Sequence, residues 1–342
     1  MTPHITPILT GNRLALSRLL SQIENDTPEG RATLSALFSH TGRAYLIGVT
    51  GATGTGKSSL VNRLAYFYRH PPADQDSKRV AVVAVDPSSP FTGGAFLGDR
   101  IRMRDLAGDP GVFIRSMASR GSLGGLANAT AGMVQAFDAA GFEIILIETV
   151  GAGRAEVDIA RLAHTTLVVE APGLGDDIQA IKAGILEIAD VLVINKADRP
   201  GVENTERALK GMLSLAHPVE RVFHHHGQQM AVASHVAEPA GEAPMWVPPI
   251  QRTIATEGAG IIELGASIAR HREHLEQSGE LERREIARLQ AELENLLQAT
   301  LVTRWRESVT EAQYQDVLAR LIVRGISPRQ AVNELLNGGI PT

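Results

Sequence analysis

Hydrophobic residues fall in short continuous runs over the first two thirds of the chain, and segments with helical spacing separate these runs. The runs are residues 44–49, 80–85, 144–148, 166–170 and 191–195. Continuous rather than alternating hydrophobicity is typical of strands that are covered on both faces. The pattern therefore predicts an α/β fold in which helices flank a mostly parallel central sheet. Ligands of such sheets bind at the carboxyl ends of the strands.

The same pattern divides the chain into three predicted parts. A helical N-terminal extension covers residues 1–40, because apolar residues there recur at helical spacing. These residues are Leu14, Leu19, Leu20 and Ile23. The sheet and its helices occupy a central domain over residues 41–265, in which the Ala-, Pro- and Glu-rich segment 231–249 is interpreted as a surface excursion. The third part, residues 266–342, is a helical C-terminal region.

The C-terminal region is predicted to be helical over residues 271–308, with a shorter helical tail to residue 337. Leucines fall on one face of this helical region, and charged residues cover the rest. The leucines are Leu289, Leu293, Leu296, Leu297 and Leu301. The stripe fits packing against the central domain and a contact between two copies of the chain equally well, so both interpretations stay open.

Composition excludes several classes of function. The chain has 342 residues, 44% of them hydrophobic, which is enough for a sizeable core. A net charge of −5 gives no electrostatic reason to expect nucleic acid or an anionic membrane as a partner. The absence of cysteine excludes disulfides, thiol catalysis and cysteine metal sites. The sequence has neither a run long enough to span a membrane nor a leader pattern, so we expect a cytoplasmic protein.

Residues 51–58 (GATGTGKS) fill every fixed position of the phosphate-binding pattern G-x-x-x-x-G-K-[ST]. A strand run precedes this phosphate loop and a helical pattern follows it, so its backbone N–H groups are expected to point at the phosphates. Lys57 is expected to reach the β- and γ-phosphates, and the Ser58 hydroxyl to bind Mg²⁺. The candidate nucleotide-binding residues are Gly51, Ala52, Thr53, Gly54, Thr55, Gly56, Lys57, Ser58 and Ser59.

Acidic residues end two of the predicted strands that follow the phosphate loop. Asp86 ends one strand and Glu148 ends another, in positions suited to holding Mg²⁺ or its water ligands. Gly151 is a candidate sensor of the γ-phosphate, because its backbone N–H can approach closely without a side chain in the way. Glu148 and Gly151 are therefore also candidate catalytic residues, together with Lys57.

The string NKAD at residues 195–198 directly follows a predicted strand and indicates which base is bound. The Asp198 carboxylate can accept hydrogen bonds from the ring N–H and the exocyclic amine of guanine, but adenine has no amine there and presents a lone pair. Lys196 is expected to cover the base with its stem, and Asn195 to brace the loop. The predicted nucleotide is GTP. Residues 253–260 fit either a further base-contacting loop or a plain turn.

Longer strings within the chain resemble the MeaB/MMAA family, also known as ArgK. The strings are AVDPSSPFTGGAFLGDRIRM at 84–103, GGLANAT at 124–130, AGFEIILIETVGAG at 140–153, APGLGDDIQAIKAGILEIAD at 171–190 and NKADRPG at 195–201. The resemblance covers nearly the whole chain. It implies a homodimeric P-loop GTPase that acts as a chaperone of adenosylcobalamin-dependent acyl-CoA mutases. GTP binding and hydrolysis would gate the delivery of adenosylcobalamin and the removal of damaged cofactor.

The resemblance also implies roles for individual residues. Asp86 and Asp99 would belong to the first switch region, with metal-binding roles, and Glu148 to the second. A third switch, which communicates with the mutase, would include Asp176, Asp177, Gln179 and Lys182. Methylmalonyl-CoA mutase or a close relative is the expected partner, and a cobalamin adenosyltransferase is a second candidate. Adenosylcobalamin is expected to bind only through the mutase.

Arg154 stands where relatives usually carry glutamine. As a candidate catalytic residue, Arg154 would either stabilise charge on the γ-phosphate or remove an amide that positions water. The alternative is a surface ion pair with Glu156 or Asp158.

Two other functions are weighed against the chaperone. His224, His225 and His226 would fit a nickel-inserting GTPase, but consecutive residues point in different directions and the sequence favours a structural loop. A kinase that serves amino-acid transport would need an acceptor site and tolerance of ATP, against which the NKAD string argues.

Overall fold

A computed structural model describes residues 5–72, 75–87, 106, 108–119, 125–149, 159–173, 187–216, 222–225, 228–231 and 245–337. Within these residues, seven strands form one sheet: β1 (Tyr45–Thr50), β2 (Val80–Pro87), β3 (Val112–Ser119), β4 (Ile144–Thr149), β5 (Thr165–Glu170), β6 (Val191–Asn195) and β9 (Ile250–Thr253). Their order in the sheet is β3-β2-β4-β1-β5-β6-β9, and all six neighbouring pairs are parallel. The predicted parallel α/β sheet is confirmed. A separate antiparallel hairpin consists of β7 (Val222–His225) and β8 (Gln228–Ala231).

Two strands of this sheet, β3 and β9, have no counterpart among the predicted runs. In β3 the polar residues Arg115 and Ser116 interrupt the hydrophobic run. In β9 (IQRT) only Thr253 is buried, because this strand lies at the edge of the sheet. Both strands therefore lack the continuous hydrophobicity that marks the central strands.

Side chains alternate between the two faces of the sheet. On β1, Tyr45, Ile47 and Val49 enter one hydrophobic core, and Leu46 enters another. The first core also contains helix α4 (Lys57–Arg69) and the helix Ile261–Gln277, which is α7. The second core contains the N-terminal helices and α5 (Gly125–Ala139). A third, smaller core joins β5 and β6 to α6 (Val202–Ala216).

The described N-terminal segment contains three α-helices: α1 (Thr6–Leu9), α2 (Arg13–Glu24) and α3 (Pro28–Leu37). A short 3-10 turn follows α3. Helix α2 begins where the Asn12 side chain accepts a hydrogen bond from the Ala15 N–H. Its buried face contains Leu16, Leu19, Leu20 and Ile23. Leu14, which the sequence placed on that face, is 62% exposed. The correction shifts the centre of the apolar stripe toward Leu16.

The described part of the C-terminal region, which ends at residue 337, contains four helices: α7, α8 (Glu280–Ser308), α9 (Glu311–Ile322) and α10 (Pro328–Asn337). The predicted helical stretch over residues 271–308 is divided at Gly279, which adopts a φ of 70° and separates α7 from α8. Apolar side chains remain exposed along α8: Ile286, Leu293, Leu296, Leu297, Leu301 and Val302. Within the described ranges, every helix is too short or too polar to cross a membrane.

Candidate nucleotide site

The phosphate loop leaves the carboxyl end of β1 and enters α4, as its sequence predicts. Gly51, Gly54 and Gly56 have φ angles of 133°, 86° and 93°, which L-residues with side chains rarely adopt. A Cβ on Gly51 would lie 2.1 Å from the carbonyl oxygen of Val169, and one on Gly56 would lie 2.5 Å from Asn195 Nδ2. Backbone conformation therefore favours glycine at all three positions, and the close approach of neighbouring residues adds a second requirement at Gly51 and Gly56.

Lys57 is the first residue of α4 and is only 6% exposed. Its Nζ donates hydrogen bonds to the carbonyl oxygens of Gly51 (2.8 Å) and Ala52 (2.9 Å). The ammonium group thus lies inside the curve of the loop, where its charge would meet a phosphate. Contact with the β- and γ-phosphates stays a prediction.

Ser58 and Glu148 are brought together from α4 and β4. The Ser58 hydroxyl donates a hydrogen bond of 2.6 Å to Glu148 Oε1, and Glu148 is 6% exposed. Hydroxyl and carboxylate oxygens are the hard donors that Mg²⁺ prefers, so this donor set fits a magnesium ion. Asp86 belongs to the last part of β2, which pairs with β4, but only its backbone is described.

Asn195 connects the predicted base-binding motif to the phosphate loop. Its side chain is 2% exposed, and Nδ2 donates a hydrogen bond to the carbonyl oxygen of Thr55 at 2.8 Å. Its Oδ1 accepts from the Thr253 hydroxyl at 3.2 Å and from the Ala255 N–H at 3.1 Å. One amide therefore links the end of β6 to two other segments, the phosphate loop and the loop at residues 253–260. These contacts agree with the bracing role expected of Asn195.

Lys196 and Asp198 follow at the same edge of the sheet. Lys196 has a φ of 58°, and its Nζ donates a hydrogen bond to the carbonyl oxygen of Gly54 at 2.5 Å. Its stem thus spans from the base motif to the phosphate loop. The Asp198 side chain is exposed, so its carboxylate is accessible to a ligand.

A family model described as Methylmalonyl Co-A mutase-associated GTPase MeaB matches residues 16–310. The chain belongs to this family. The resemblance seen in the sequence is confirmed.

Relatives of the MeaB family protein are named as GTPases. A Pyrococcus abyssi protein that is provisionally named as a GTPase is 40% identical to this chain over 334 residues, which cover 96% of this chain and 95% of the relative. The GTPase ArgK of Escherichia coli is 31% identical and covers 98% and 95%. The Methylmalonic aciduria type A homolog of Caenorhabditis elegans is 27% identical and covers 81% and 67%. Together with the family match, these names show that the chain is a GTPase that hydrolyses GTP.

The fold resembles that of a solved structure over most of the chain. The crystal structure of an LAO/AO transport system kinase has a TM-score of 0.66 at 24% identity, covering 97% of this chain and 95% of that one. At this identity the likeness shows the P-loop fold alone.

Several residues that the sequence singled out lie outside the described residues of this MeaB family protein. They are Asp99, Gly151, Arg154, Asp176, Asp177, Gln179, Lys182 and His226. His224 and His225 lie in β7, where only the backbone is described. Among the residues with described side chains, no group of three or more His, Asp or Glu is placed to hold a metal ion.

Near the base motif, the structure also places Arg63, a residue that the sequence analysis did not single out. Arg63, on α4, donates hydrogen bonds to the carbonyl oxygens of Ala255 and Thr256 at 3.0 Å each. An arginine on an amphipathic helix has no local signal that distinguishes this role from a surface position, so only the long-range contact identifies it.

A second polar cluster lies at the opposite, amino edge of the sheet, around Asp190. Both Arg284 Nη atoms donate to the Asp190 carboxylate at 2.9 Å, and His271 Nε2 lies 3.2 Å from it. Burial alone would raise the pKa of Asp190, but the contacts with His271 and Arg284 outweigh burial and lower this pKa. Burial raises the pKa of neighbouring Tyr45 to about 12. The cluster fastens α7 and α8 to the sheet.

Proposed function

We propose that this GTPase gates the loading, protection and reactivation of adenosylcobalamin on an acyl-CoA mutase, methylmalonyl-CoA mutase or a close relative. The observation that carries the proposal is the match over residues 16–310 to a family described as associated with methylmalonyl-CoA mutase. Adenosylcobalamin would bind through the mutase, and a cobalamin adenosyltransferase is a further candidate partner.

The phosphate loop would hold the phosphates of GTP and the base motif would hold its guanine. The order of the strands in the sheet would set this orientation of the nucleotide. The backbone N–H groups of residues 51–59 would surround the phosphates, and Lys57 would neutralise the β- and γ-phosphates. Asn195, Lys196 and Asp198 would hold guanine. The support for this arrangement is that Asn195 and Lys196 already contact the phosphate loop.

For hydrolysis, the oxygen donors of Ser58 and Glu148 would hold Mg²⁺, with Asp86 and Asp99 as further candidates for direct or water-mediated contact. The ion would neutralise charge on the β- and γ-phosphate oxygens when bound. Glu148 would also hold water at the γ-phosphate. Gly151 would sense that phosphate through its backbone N–H, and Arg154 is a proposed catalytic residue that adds positive charge.

Communication with the mutase would use the predicted third switch, Asp176, Asp177, Gln179 and Lys182. A mutase that orders the switch segments would accelerate a slow intrinsic hydrolysis, since ordered contacts with the γ-phosphate and the attacking water are needed for catalysis. We further propose a homodimer, formed through the exposed apolar stripe of α8, in which Leu293, Leu297 and Leu301 recur at intervals of one helical turn.

The test is the GTP hydrolysis rate of the purified protein, alone and with each candidate acyl-CoA mutase. We expect one mutase to raise the rate at least tenfold, and ATP to be hydrolysed much more slowly than GTP. The Lys57→Ala variant reports contaminating GTPase, because it removes the charge that the phosphates require. GTP turnover that is indifferent to every mutase would refute the chaperone role and leave the GTPase intact.

A further inference from the structure

The loop at residues 253–260 is held from two sides. On one side, the N–H of Ala255 donates to Asn195 Oδ1 at 3.1 Å. On the other side, the Arg63 guanidinium donates through Nε to the carbonyl oxygen of Ala255 and through Nη2 to that of Thr256, both at 3.0 Å. The fork of the guanidinium thus spans two consecutive carbonyl groups.

This double contact fixes the direction of one backbone N–H. The peptide bond between Ala255 and Thr256 is planar and trans, so a carbonyl that points at Arg63 turns the Thr256 N–H the opposite way. The next N–H groups already have acceptors, since both Glu257 and Gly258 donate to the carbonyl oxygen of Ile254. The remaining hairpin is closed by the bond from Ile254 N to the carbonyl oxygen of Ala259.

We propose that Arg63 is a positioning residue for base recognition, which aims the Thr256 N–H at the carbonyl oxygen of guanine. Guanine carries a hydrogen-bond acceptor at this ring position and adenine carries an amine, so a fixed donor favours guanine. The inference rests on the nucleotide site proposed above. The proposal gives α4 a second role at this site, because the same helix begins with Lys57 and Ser58, the predicted phosphate- and Mg²⁺-binding residues.

The experiment measures the dissociation constants of three nucleoside diphosphates for the full chain and for Arg63→Met, which keeps an apolar stem but has no donor. GDP has both the carbonyl and the amine of guanine, IDP has only the carbonyl, and 2-aminopurine riboside diphosphate has only the amine. Diphosphates are used because their binding does not depend on contacts with the γ-phosphate.

We expect Arg63→Met to weaken GDP and IDP about tenfold each, the effect of one misaligned hydrogen bond, and 2-aminopurine riboside diphosphate by less than twofold. Arg69→Met is the matched control, because Arg69 lies on the same helix and its hydrogen bonds go to Asp109, Ser77 and Lys78. It should leave all three affinities unchanged, whatever its effect on the melting temperature.

Equal weakening of all three nucleotides would show a merely structural role and overturn the proposal, as would no weakening. If Arg63→Met does not fold, Arg63→Lys gives the test, with a smaller loss that is again confined to GDP and IDP. A wild-type protein that does not prefer GDP to ADP would instead refute the nucleotide site itself, and the inference with it.

Discussion

The Asn195 side chain donates a 2.8 Å hydrogen bond to the carbonyl oxygen of Thr55, 140 positions earlier in the chain. The contact joins the end of β6, which is expected to read the base, to the loop that is expected to hold the phosphates. Because Asn195 is 2% exposed, water does not compete for this bond. The distance between the two halves of the proposed nucleotide site is thus fixed before any ligand binds.

Replacing Asn195 with alanine should cost about 2 to 4 kcal/mol of unfolding free energy, because the change leaves buried backbone groups of Thr55 and Ala255 without this partner. Urea denaturation measures the loss. Asn204→Ala is the control, since Asn204 is exposed and its side chain accepts a hydrogen bond from the exposed Arg207; we expect a loss of less than about 0.5 kcal/mol there. Equal losses in both variants would contradict the bracing role.

Replacing Asp198 with asparagine should change the preferred base from guanine to xanthine. An amide can donate to the carbonyl of xanthine at the position where guanine carries its amine, but it cannot accept from both guanine donors. We expect GDP affinity to fall about a hundredfold or more and xanthosine diphosphate to become the better ligand. Isothermal titration measures both affinities. Glu203→Gln makes the same chemical change on an exposed side chain and should leave the preference for guanine intact.

The ionised carboxylate of Glu285 should stabilise the folded state at neutral pH, and this stabilisation should be lost at acidic pH. Burial would raise its pKa, but hydrogen bonds with His164 and Arg288 outweigh burial and lower this pKa from 4.5 to about 2. A lowered folded-state pKa contributes stability that is present above pH 4.5 and is lost as the pH falls toward 2. Glu285→Gln should therefore be less stable by about 1 kcal/mol at pH 7, a figure reduced by partial exposure.

Urea titrations at pH 7, 4 and 3 test this prediction. The stability difference between the wild type and Glu285→Gln should shrink steadily as the pH falls. The control is Glu282→Gln, an exposed residue of the same helix. A difference that stays constant from pH 7 to 3 would show that the Glu285 charge is not responsible.

The exposed stripe of α8 should mediate self-association. Leu297 is 55% exposed, so Leu297→Glu should leave the melting temperature of the isolated chain nearly unchanged while converting a dimer to a monomer. Light scattering after size exclusion measures the mass. Gln298→Glu adds the same charge about 100° away around the helix and should remain dimeric. A wild-type protein that is monomeric at all concentrations would refute the dimer.

Local patterns in the sequence were sufficient to predict the central strands and the phosphate loop. Strand β6, for instance, was predicted at 191–195 and observed as Val191–Asn195, because a strand buried on both faces needs an unbroken hydrophobic run. The phosphate loop was recognisable because its glycines meet backbone requirements that only glycine satisfies without strain. The helix break at Gly279 was missed, since glycine inside a helical pattern is often tolerated.

By itself, the sequence determined the fold class and the family, and it predicted the residue types that would bind a guanine nucleotide, because these depend on spacing along the chain. Only the tertiary structure decided which groups meet across the chain. Ser58 donates a hydrogen bond to Glu148, Asn195 donates one to Thr55, and Arg63 donates one to Ala255 in the 253–260 loop. Each of these contacts joins segments far apart in the chain. Their partners depend on how strands and helices pack, which no local pattern records.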